Sequence, residues 1–168
     1  PRYDGPTLEK DVLDFWRREQ VFHKTLEFTR GRPPFVFYEG PPTANGRPGI
    51  HHVLARAFKD MYPRYKTMRG FHCDRKAGWD CHGLPVEHEV EKTLQIFDKR
   101  EIEKRVGIAE FVRLCRESVM RYVSDWEAMT ERMGLWVDME KAYFTLDNKY
   151  IESVWSLLKI LWDRGLIY

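Results

Sequence analysis

The chain has 168 residues, and its 28 basic and 26 acidic side chains leave a formal net charge of +2. Hydrophobic residues make up 43% and aromatic residues 14%, which excludes a disordered polymer because such chains lack the aromatics needed to bury a core. No stretch approaches the ~20 apolar residues of a membrane span, so we expect a soluble, cytoplasmic protein. Three cysteines cannot pair completely, which favours reduced thiols over a disulfide-stapled secreted scaffold. Because the chain begins at Pro1 without a methionine, we expect a piece of a larger protein.

The first half of the chain predicts alternating helices and strands. A helix follows Pro6, with Thr7 as its N-cap. Its apolar stripe at helical spacing consists of Leu8, Val12, Phe15 and Trp16. The aromatic and β-branched run at residues 35–38 predicts a buried strand. A second helix is expected to begin near Ile50 and to kink or restart at Pro63, and residues 70–74 predict a second strand.

Strand, helix and strand in this order predict a parallel βαβ unit. Ligands of such sheets bind beyond the carboxyl ends of the strands. We therefore expect the loops at residues 40–49 and 77–85, which each follow a strand, to converge on one crevice.

The second half of the chain predicts helices. A seam of apolar residues in steps of three and four favours a helix packed on its own domain over a coiled coil, because only about three heptads are present. The seam consists of Val112, Cys115, Val119, Tyr122, Trp126, Met129 and Met133. A last helix is expected to begin after an Asp147 cap and to stop at Gly165.

Three loop motifs contain residues suited to chemistry. The first, EGPPTANG at residues 39–46, has prolines and glycines that fix the backbone after a strand, although an ordinary turn has the same composition.

The second motif, GIHH at residues 49–52, opens the helix near Ile50. A helix N-terminus attracts phosphate through its unpaired amides, imidazole donors can bond phosphate oxygens, and Gly49 leaves room for a ligand. The alternative is that one histidine caps or packs while the other is solvated.

The third motif, GWDCHGLP at residues 78–85, places Asp80 beside a tryptophan. A partly buried carboxylate needs a cationic partner, and a substrate ammonium would serve. Alternatively, Asp80 pairs with a local Arg or Lys, or caps the helix that begins at Pro85. Zinc is not expected, because Cys73 and Cys81 lack the close C-x₂₋₄-C spacing of structural sites. Neither a P-loop nor a dinucleotide fingerprint is present.

Together these motifs resemble the isoleucyl-tRNA synthetase family of class I aminoacyl-tRNA synthetases. The matching segments are YEGPPTANG at 38–46, KD at 59–60, PRYK at 63–66, GWD at 78–80, HGLPVE at 82–87, RESV at 116–119, WVD at 136–138 and YIES at 150–153. The resemblance implies an α/β fold: the first half of a Rossmann-type catalytic domain, a parallel βαβ unit with flanking helices, truncated before the editing insertion. It divides the chain into an N-terminal helical segment (1–33), a nucleotide-binding half (34–105) and a helical segment leading towards the insertion (106–168).

The resemblance also implies an aminoacyl-tRNA ligase that activates isoleucine with ATP and Mg²⁺ and transfers it to tRNA(Ile) through the full-length protein. The implied residues are His51 and His52 for catalysis, Thr43, Asn45, Gly49, His51 and His52 for ATP, and Gly40, Pro41 and Asp80 for the amino acid. One alternative is a non-catalytic folded fragment or ATP-binding half-domain, since the family's Lys-Met-Ser-Lys-Ser loop is missing here. Another is a zinc-dependent nucleic-acid module.

The signature at the helix start departs from the family. Where the family has His-x-Gly-His, residues 49–52 read Gly-Ile-His-His, so the first histidine and the glycine are exchanged and His52 is kept. The exchange predicts a variant active site with a different nucleotide pose.

Overall fold

The computed structural model describes residues 3–168, which form helices and two short strands. In chain order the elements are α1 (Gly5–Arg18), α2 (Val21–Phe28), α3 (Ile50–Met68), β1 (Lys76–Trp79), α4 (Leu84–Leu94), α5 (Arg100–Arg105), α6 (Ile108–Arg132), β2 (Asp138–Phe144) and α7 (Asn148–Asp163). No helix in this part of the chain combines the length and the apolar character needed to cross a membrane.

The chain folds into two compact units built from alternating segments. Unit one comprises the described residues up to Glu39, Pro48–Lys76 and Asp125–Asp138. Unit two comprises Gly40–Arg47, Ala77–Ser124 and Met139–Tyr168.

Helix α1 begins earlier than the sequence predicts. Asp4, and not Thr7, is the N-cap residue, and its carboxylate accepts hydrogen bonds from both the N–H (3.4 Å) and the hydroxyl (2.7 Å) of Thr7. The predicted cap at Thr7 is therefore wrong. An aspartate in the extended cap conformation satisfies the amide of the third helical residue, which leaves Thr7 inside the helix as the donor.

Helix α3 begins at Ile50 as predicted, but it does not restart at Pro63. The helix continues to Met68, and Pro63 is buried within it. Asp60 and Arg64, on either side of the proline, form an ion pair, and Asp60 also accepts the N–H of Trp136 at 3.1 Å. This network holds both turns in place, so the loss of the single amide donor at Pro63 does not break the helix.

The two predicted strands are wrong in position. Phe35 donates to the carbonyl of His72 (2.8 Å) and His72 donates to that of Pro33 (3.0 Å), which forms one parallel bridge between Pro34 and His72. No strand of the described residues continues this pairing along 35–38, and Val36 is 66% exposed. An apolar run forms a buried strand only where a neighbouring strand supplies hydrogen bonds.

The regular strand pairing is between β1 and β2, and the sequence pattern did not predict β2. Arg75 O accepts the N–H of Asp138 at 2.7 Å, and Trp79 O accepts that of Thr145 at 3.1 Å. The paired residue numbers rise together, which is the parallel sense. Parallel pairing is thus present, but its regular part follows the predicted segments.

In the second half of the chain the helices agree with the sequence pattern, but β2 interrupts the run of helices expected there. Within unit two, a buried cluster joins α4, the loop after it, α5 and α6, and consists of Val90, Ile96, Ile102 and Phe111. In α6, Val119 and Trp126 of the predicted seam are buried. Helix α7 follows Asp147 in the N-cap position and ends before Gly165, whose φ of +66° is the left-handed conformation that favours glycine.

Candidate active site

Thr43 and Asp80 join the first and third motifs within unit two. The two residues form a parallel bridge, and Asp80 donates its N–H to the carbonyl of Pro42 at 3.0 Å. The Thr43 hydroxyl donates to Asp80 Oδ2 at 2.8 Å, and the N–H of His82 donates to Oδ1 at 3.3 Å. Both carboxylate oxygens are therefore held by neutral donors, which fixes the orientation of the carboxylate.

Neither ordinary role, an ion pair with a nearby basic residue or a helix cap, accounts for the half-buried Asp80 carboxylate. Between residues 3 and 168, no lysine, arginine or histidine side chain forms an ion pair with it. It does not cap α4 either, since the N-cap residue of that helix is Gly83. The arrangement leaves a fixed, negatively charged group suited to a cationic ligand.

Gly78, two residues before Asp80, has no room for a side chain. A Cβ atom at residue 78 would lie 2.3 Å from Cζ of Tyr143, so only glycine allows the tyrosine ring of β2 to cross the strand. Beyond Asp80, the Thr145 hydroxyl accepts the N–H of Cys81 at 2.8 Å. No pattern in the sequence indicates Tyr143 or Thr145, because contacts between residues so far apart along the chain give no local spacing signal.

Asn45 connects the first motif to the beginning of α4 within unit two. Its side-chain amide donates to the carbonyl of Pro85 at 3.3 Å. The cleft beside this bond has a volume of about 400 Å³ and is lined by Asn45, Leu84, Pro85, His88, Glu89 and Lys92. Gly40 is exposed and Pro41 is half-buried in the segment that leads to Thr43. The structure thus brings Thr43, Asn45 and Asp80 into one loop cluster.

The paired histidines lie at the N-terminus of α3, in unit one. Gly49 is the N-cap residue, and its N–H donates to Nδ1 of His52 at 2.8 Å. The two imidazole centroids are 3.8 Å apart, with His51 exposed and His52 half-buried. Since Nδ1 of His52 accepts a hydrogen bond, the neutral ring carries its proton on Nε2.

The surroundings of His52 favour its neutral form. Burial lowers the pKa of His52 most, and charge repulsion from His51 and Arg56 lowers it further. The ring is therefore a hydrogen-bond donor through Nε2–H near neutral pH. The predicted site residues thus form two groups, one in each unit: Gly40, Pro41, Thr43, Asn45 and Asp80, and Gly49, His51 and His52.

The described residues show no cage for a protein-held metal ion. From residue 3 to residue 168, no three histidine, cysteine, aspartate or glutamate side chains are arranged to hold one. Cys73 and Cys81 are buried free thiols, and burial raises the pKa of each. These donors do not resemble a thiolate site.

Comparison with known proteins places the chain in a family. Residues 11–168 match the model described as tRNA synthetases class I (I, L, M and V). The chain is 58% identical over 164 residues to an isoleucine–tRNA ligase of Thermobifida fusca, which covers 98% of this chain and 15% of the relative. It is 58% identical over 163 residues to that of Thermus thermophilus, covering 97% of this chain and 16% of the relative. The chain therefore spans about one sixth of the length of these relatives.

A solved structure confirms the predicted fold class. The chain is similar to the LeuRS of Agrobacterium radiobacter K84, solved in a ternary complex with tRNA and LeuAMS, with a TM-score of 0.69 and 19% identity. The match covers 99% of this chain and 19% of that chain. The α/β arrangement with a small parallel sheet is thus part of a class I catalytic domain. On the family match and the sequence identities, the chain belongs to the class I tRNA synthetases of the isoleucine, leucine, methionine and valine group.

Proposed function

We propose that this chain is part of an isoleucine–tRNA ligase and carries one half of its adenylate-forming site. The proposal rests first on relatives of that name, which are 53–58% identical to nearly the whole chain. Isoleucine and ATP are the proposed substrates, and the full-length protein transfers the activated amino acid to tRNA(Ile) in the cytoplasm. The segments 1–33, 34–105 and 106–168 are the proposed divisions of this part of the protein.

The observation that carries the proposal is the hydrogen-bonded, cation-free carboxylate of Asp80. Thr43 and the backbone of residue 82 hold its oxygens, and both donors are neutral. An α-ammonium group carries three donors and the missing positive charge, so it would complete the site. We assign Asp80 to the ammonium of isoleucine, with Gly40 and Pro41 lining the amino-acid pocket.

We assign the helix N-terminus at Gly49 to the phosphates of ATP. Amides at a helix start present partial positive charge, and His52 adds a donor at Nε2. Thr43 and Asn45 are the proposed ATP-binding residues of the other loop cluster. Thr43 then serves both substrates, since its hydroxyl already orients Asp80.

In the proposed reaction, a carboxylate oxygen of isoleucine attacks the α-phosphorus of ATP, and the bond to pyrophosphate breaks. Both reactants are anionic, so catalysis consists mainly of positioning and of stabilising negative charge. His51 and His52 donate hydrogen bonds to phosphate oxygens as charge develops. Mg²⁺ would arrive with the phosphates, where it neutralises charge, which fits a chain whose described residues offer no cage of their own.

The variant Asp80→Asn in the full-length protein tests the assignment. A neutral amide loses a charge-assisted bond of about 1.5–3 kcal/mol, so the Kd for isoleucine should rise about 10- to 150-fold. The Kd for ATP should change by less than about threefold. The matched control is Asp74→Asn, an exposed aspartate six residues earlier, which should leave both constants unchanged. Equal losses for both substrates in equilibrium titrations would contradict the assignment.

A further inference from the structure

A buried group of side chains lies behind His52 in unit one. Trp126 of α6 is 2% exposed, and its ring meets the His52 imidazole edge-on with centroids 4.6 Å apart. Arg56 lies one helical turn after His52 and is 5% exposed. Its guanidinium lies 5.7 Å from the Trp126 ring centroid and donates to the Thr130 hydroxyl at 2.8 Å.

Thr130 links the Arg56 guanidinium to the backbone of α6. Its hydroxyl donates to the carbonyl of Trp126 at 2.7 Å while it accepts from Arg56. Buried hydrogen bonds of this kind fix rotamers, because any other orientation leaves a polar atom without a partner. The Arg56 guanidinium, held in this way, lies against the Trp126 ring, which in turn packs on His52.

His52 is constrained from two directions. The Gly49 N–H holds Nδ1, and the Trp126 ring limits rotation of the imidazole about its own bonds. Protonation would turn Nδ1 into a donor that faces another donor, so the Gly49 bond exists only with the neutral ring. The neutral ring in this orientation has Nε2–H as its remaining donor.

Arg56 acts on the charge of His52 as well as on its position. Burial and His51 are the larger causes of the lowered pKa of His52, and Arg56 adds to them from the same helix. Glu39 faces Arg56 and partly offsets its charge, while Lys59 donates to Glu39 at 2.7 Å. From α6, the uncharged Trp126 ring packs on His52, and the uncharged Thr130 bonds Arg56.

We propose that Trp126 and Arg56 are positioning residues for His52: they hold its imidazole with Nδ1 on Gly49 and Nε2–H available to the reacting phosphate. The second half of this inference rests on the proposed function, in which His52 contacts ATP. The first half concerns the ring alone and does not depend on the reaction.

Two variants in the full-length protein remove these supports. Trp126→Leu deletes the aromatic edge, and Arg56→Met deletes the charge at nearly constant volume. The control is Arg75→Met, since Arg75 is also buried, at 2% exposure, and also lies over an aromatic ring, that of Phe22. Arg75 bonds Thr67, which is 15 residues and about 22 Å along α3 from His52.

The first measurement is deuterium exchange at Cε1–H of each histidine as a function of pH, resolved by mass spectrometry, which gives the pKa of His52 without an activity assay. Trp126→Leu and Arg56→Met should both raise this pKa towards the ordinary value, and Arg75→Met should leave it unchanged. An unchanged His52 pKa in both variants, with the fold retained, overturns the inference.

The second measurement is isoleucine-dependent pyrophosphate exchange. In Trp126→Leu, kcat should fall about 10- to 100-fold, as expected for a misplaced group, with both KM values within about threefold of the original. Trp126→Phe should restore part of kcat, and Arg56→Met should shift the acidic limb of the pH profile upwards. Parallel losses in kcat and in folded protein, without the pH shift, overturn the positioning role.

The two proposals fail in different ways. If His52→Gln leaves exchange unchanged while the His52 pKa still responds to Trp126→Leu, the proposed role of His52 in the reaction is overturned and the positioning of its ring is supported. If His52→Gln abolishes exchange but both support variants behave like Arg75→Met, the positioning inference is overturned and the proposed function stands. Should Trp126→Leu not fold, Trp126→Phe and Arg56→Met decide the question.

Discussion

The His51 imidazole lies where a side chain on Gly49 would have to be. A Cβ atom at residue 49 would lie 2.9 Å from Cε1 and 3.0 Å from Nδ1 of His51, so the imidazole fills the room that the glycine leaves. The first and third positions of the Gly-Ile-His-His signature therefore depend on each other. Where the family order places histidine first and glycine third, the same two residue types are exchanged as a pair.

This dependence predicts a non-additive pair of variants. Gly49→Ala should displace the His51 ring, and His51→Gly should remove the obstacle. Pyrophosphate exchange in the full-length protein should show that Gly49→Ala is less damaging when His51→Gly is already present, with a coupling of about 0.5–3 kcal/mol. Strictly additive effects on the rate would show that the ring moves aside without consequence.

Gly78→Ala should destabilise the 168-residue chain by about 1–3 kcal/mol. The added methyl group meets the Tyr143 ring at 2.3 Å, and that ring cannot move without leaving its stack on Tyr150, where the centroids are 5.7 Å apart. Urea unfolding measures the effect. Gly46→Ala is the control, because a Cβ there meets no atom within 4 Å, and the loss at residue 78 should shrink in a Tyr143→Val background.

Gln95→Gly should stabilise the chain. Gln95 closes α4 with φ 54° and ψ 44°, a left-handed conformation that costs a residue with a side chain about 1–2 kcal/mol. Glycine removes that cost but loses about 0.5–1 kcal/mol through the entropy of the unfolded chain, so a net gain of up to about 1.5 kcal/mol is expected. Thermal unfolding should show a higher Tm for Gln95→Gly and no gain for Gln95→Ala.

His52 should make stability depend on pH. Its pKa is lowered in the folded chain by burial, His51 and Arg56, whereas the unfolded value is about 6.5. Between these two values the unfolded chain binds more protons, so the free energy of unfolding rises with pH and falls as the pH drops below about 6.5.

Two histidine variants test whether His52 causes this pH dependence of stability. His52→Gln should flatten the pH dependence of urea unfolding between about pH 5 and 7. His88→Gln, which changes an exposed histidine of α4, should retain the contribution from His52. An identical slope in His52→Gln and the unchanged chain would contradict the expected origin.

Local patterns predicted the helices better than the strands. The start of α3 at Ile50 and the end of α7 before Gly165 follow from apolar spacing and from a glycine in the left-handed region. The strands depend on pairing with other segments of the chain, which around the described residues 35–38 is limited to the bridge of Pro34 with His72. The run of apolar side chains there indicated burial, but pairing decides whether a strand forms.

The sequence motifs indicated which residues to consider for the candidate site, but not the side chains that pack behind them. Glycines, prolines and chemically active side chains mark the three motifs in the sequence, and the structure brings Thr43 to Asp80 and His51 to His52. The spacing of Trp126 in the sequence indicated only a buried position on a helix. Its contact with His52 was not predictable, because it joins distant parts of the chain.

The hydrogen bond from the Cys81 N–H to the Thr145 hydroxyl sets the order in which parts of the chain can fold during synthesis. Thr43 and Asp80 are 37 residues apart, but the loop that holds Asp80 is fixed at Cys81 by a hydroxyl 64 residues further along. Contacts at such separations form late, because the intervening chain must be ordered first. As the polypeptide leaves the ribosome, α3 can form early, whereas the contact that fixes the loop at Cys81 forms only after Thr145 has emerged. A ribosome stalled before that residue should therefore carry a nascent chain in which α3 has formed and the loop around Asp80 has not.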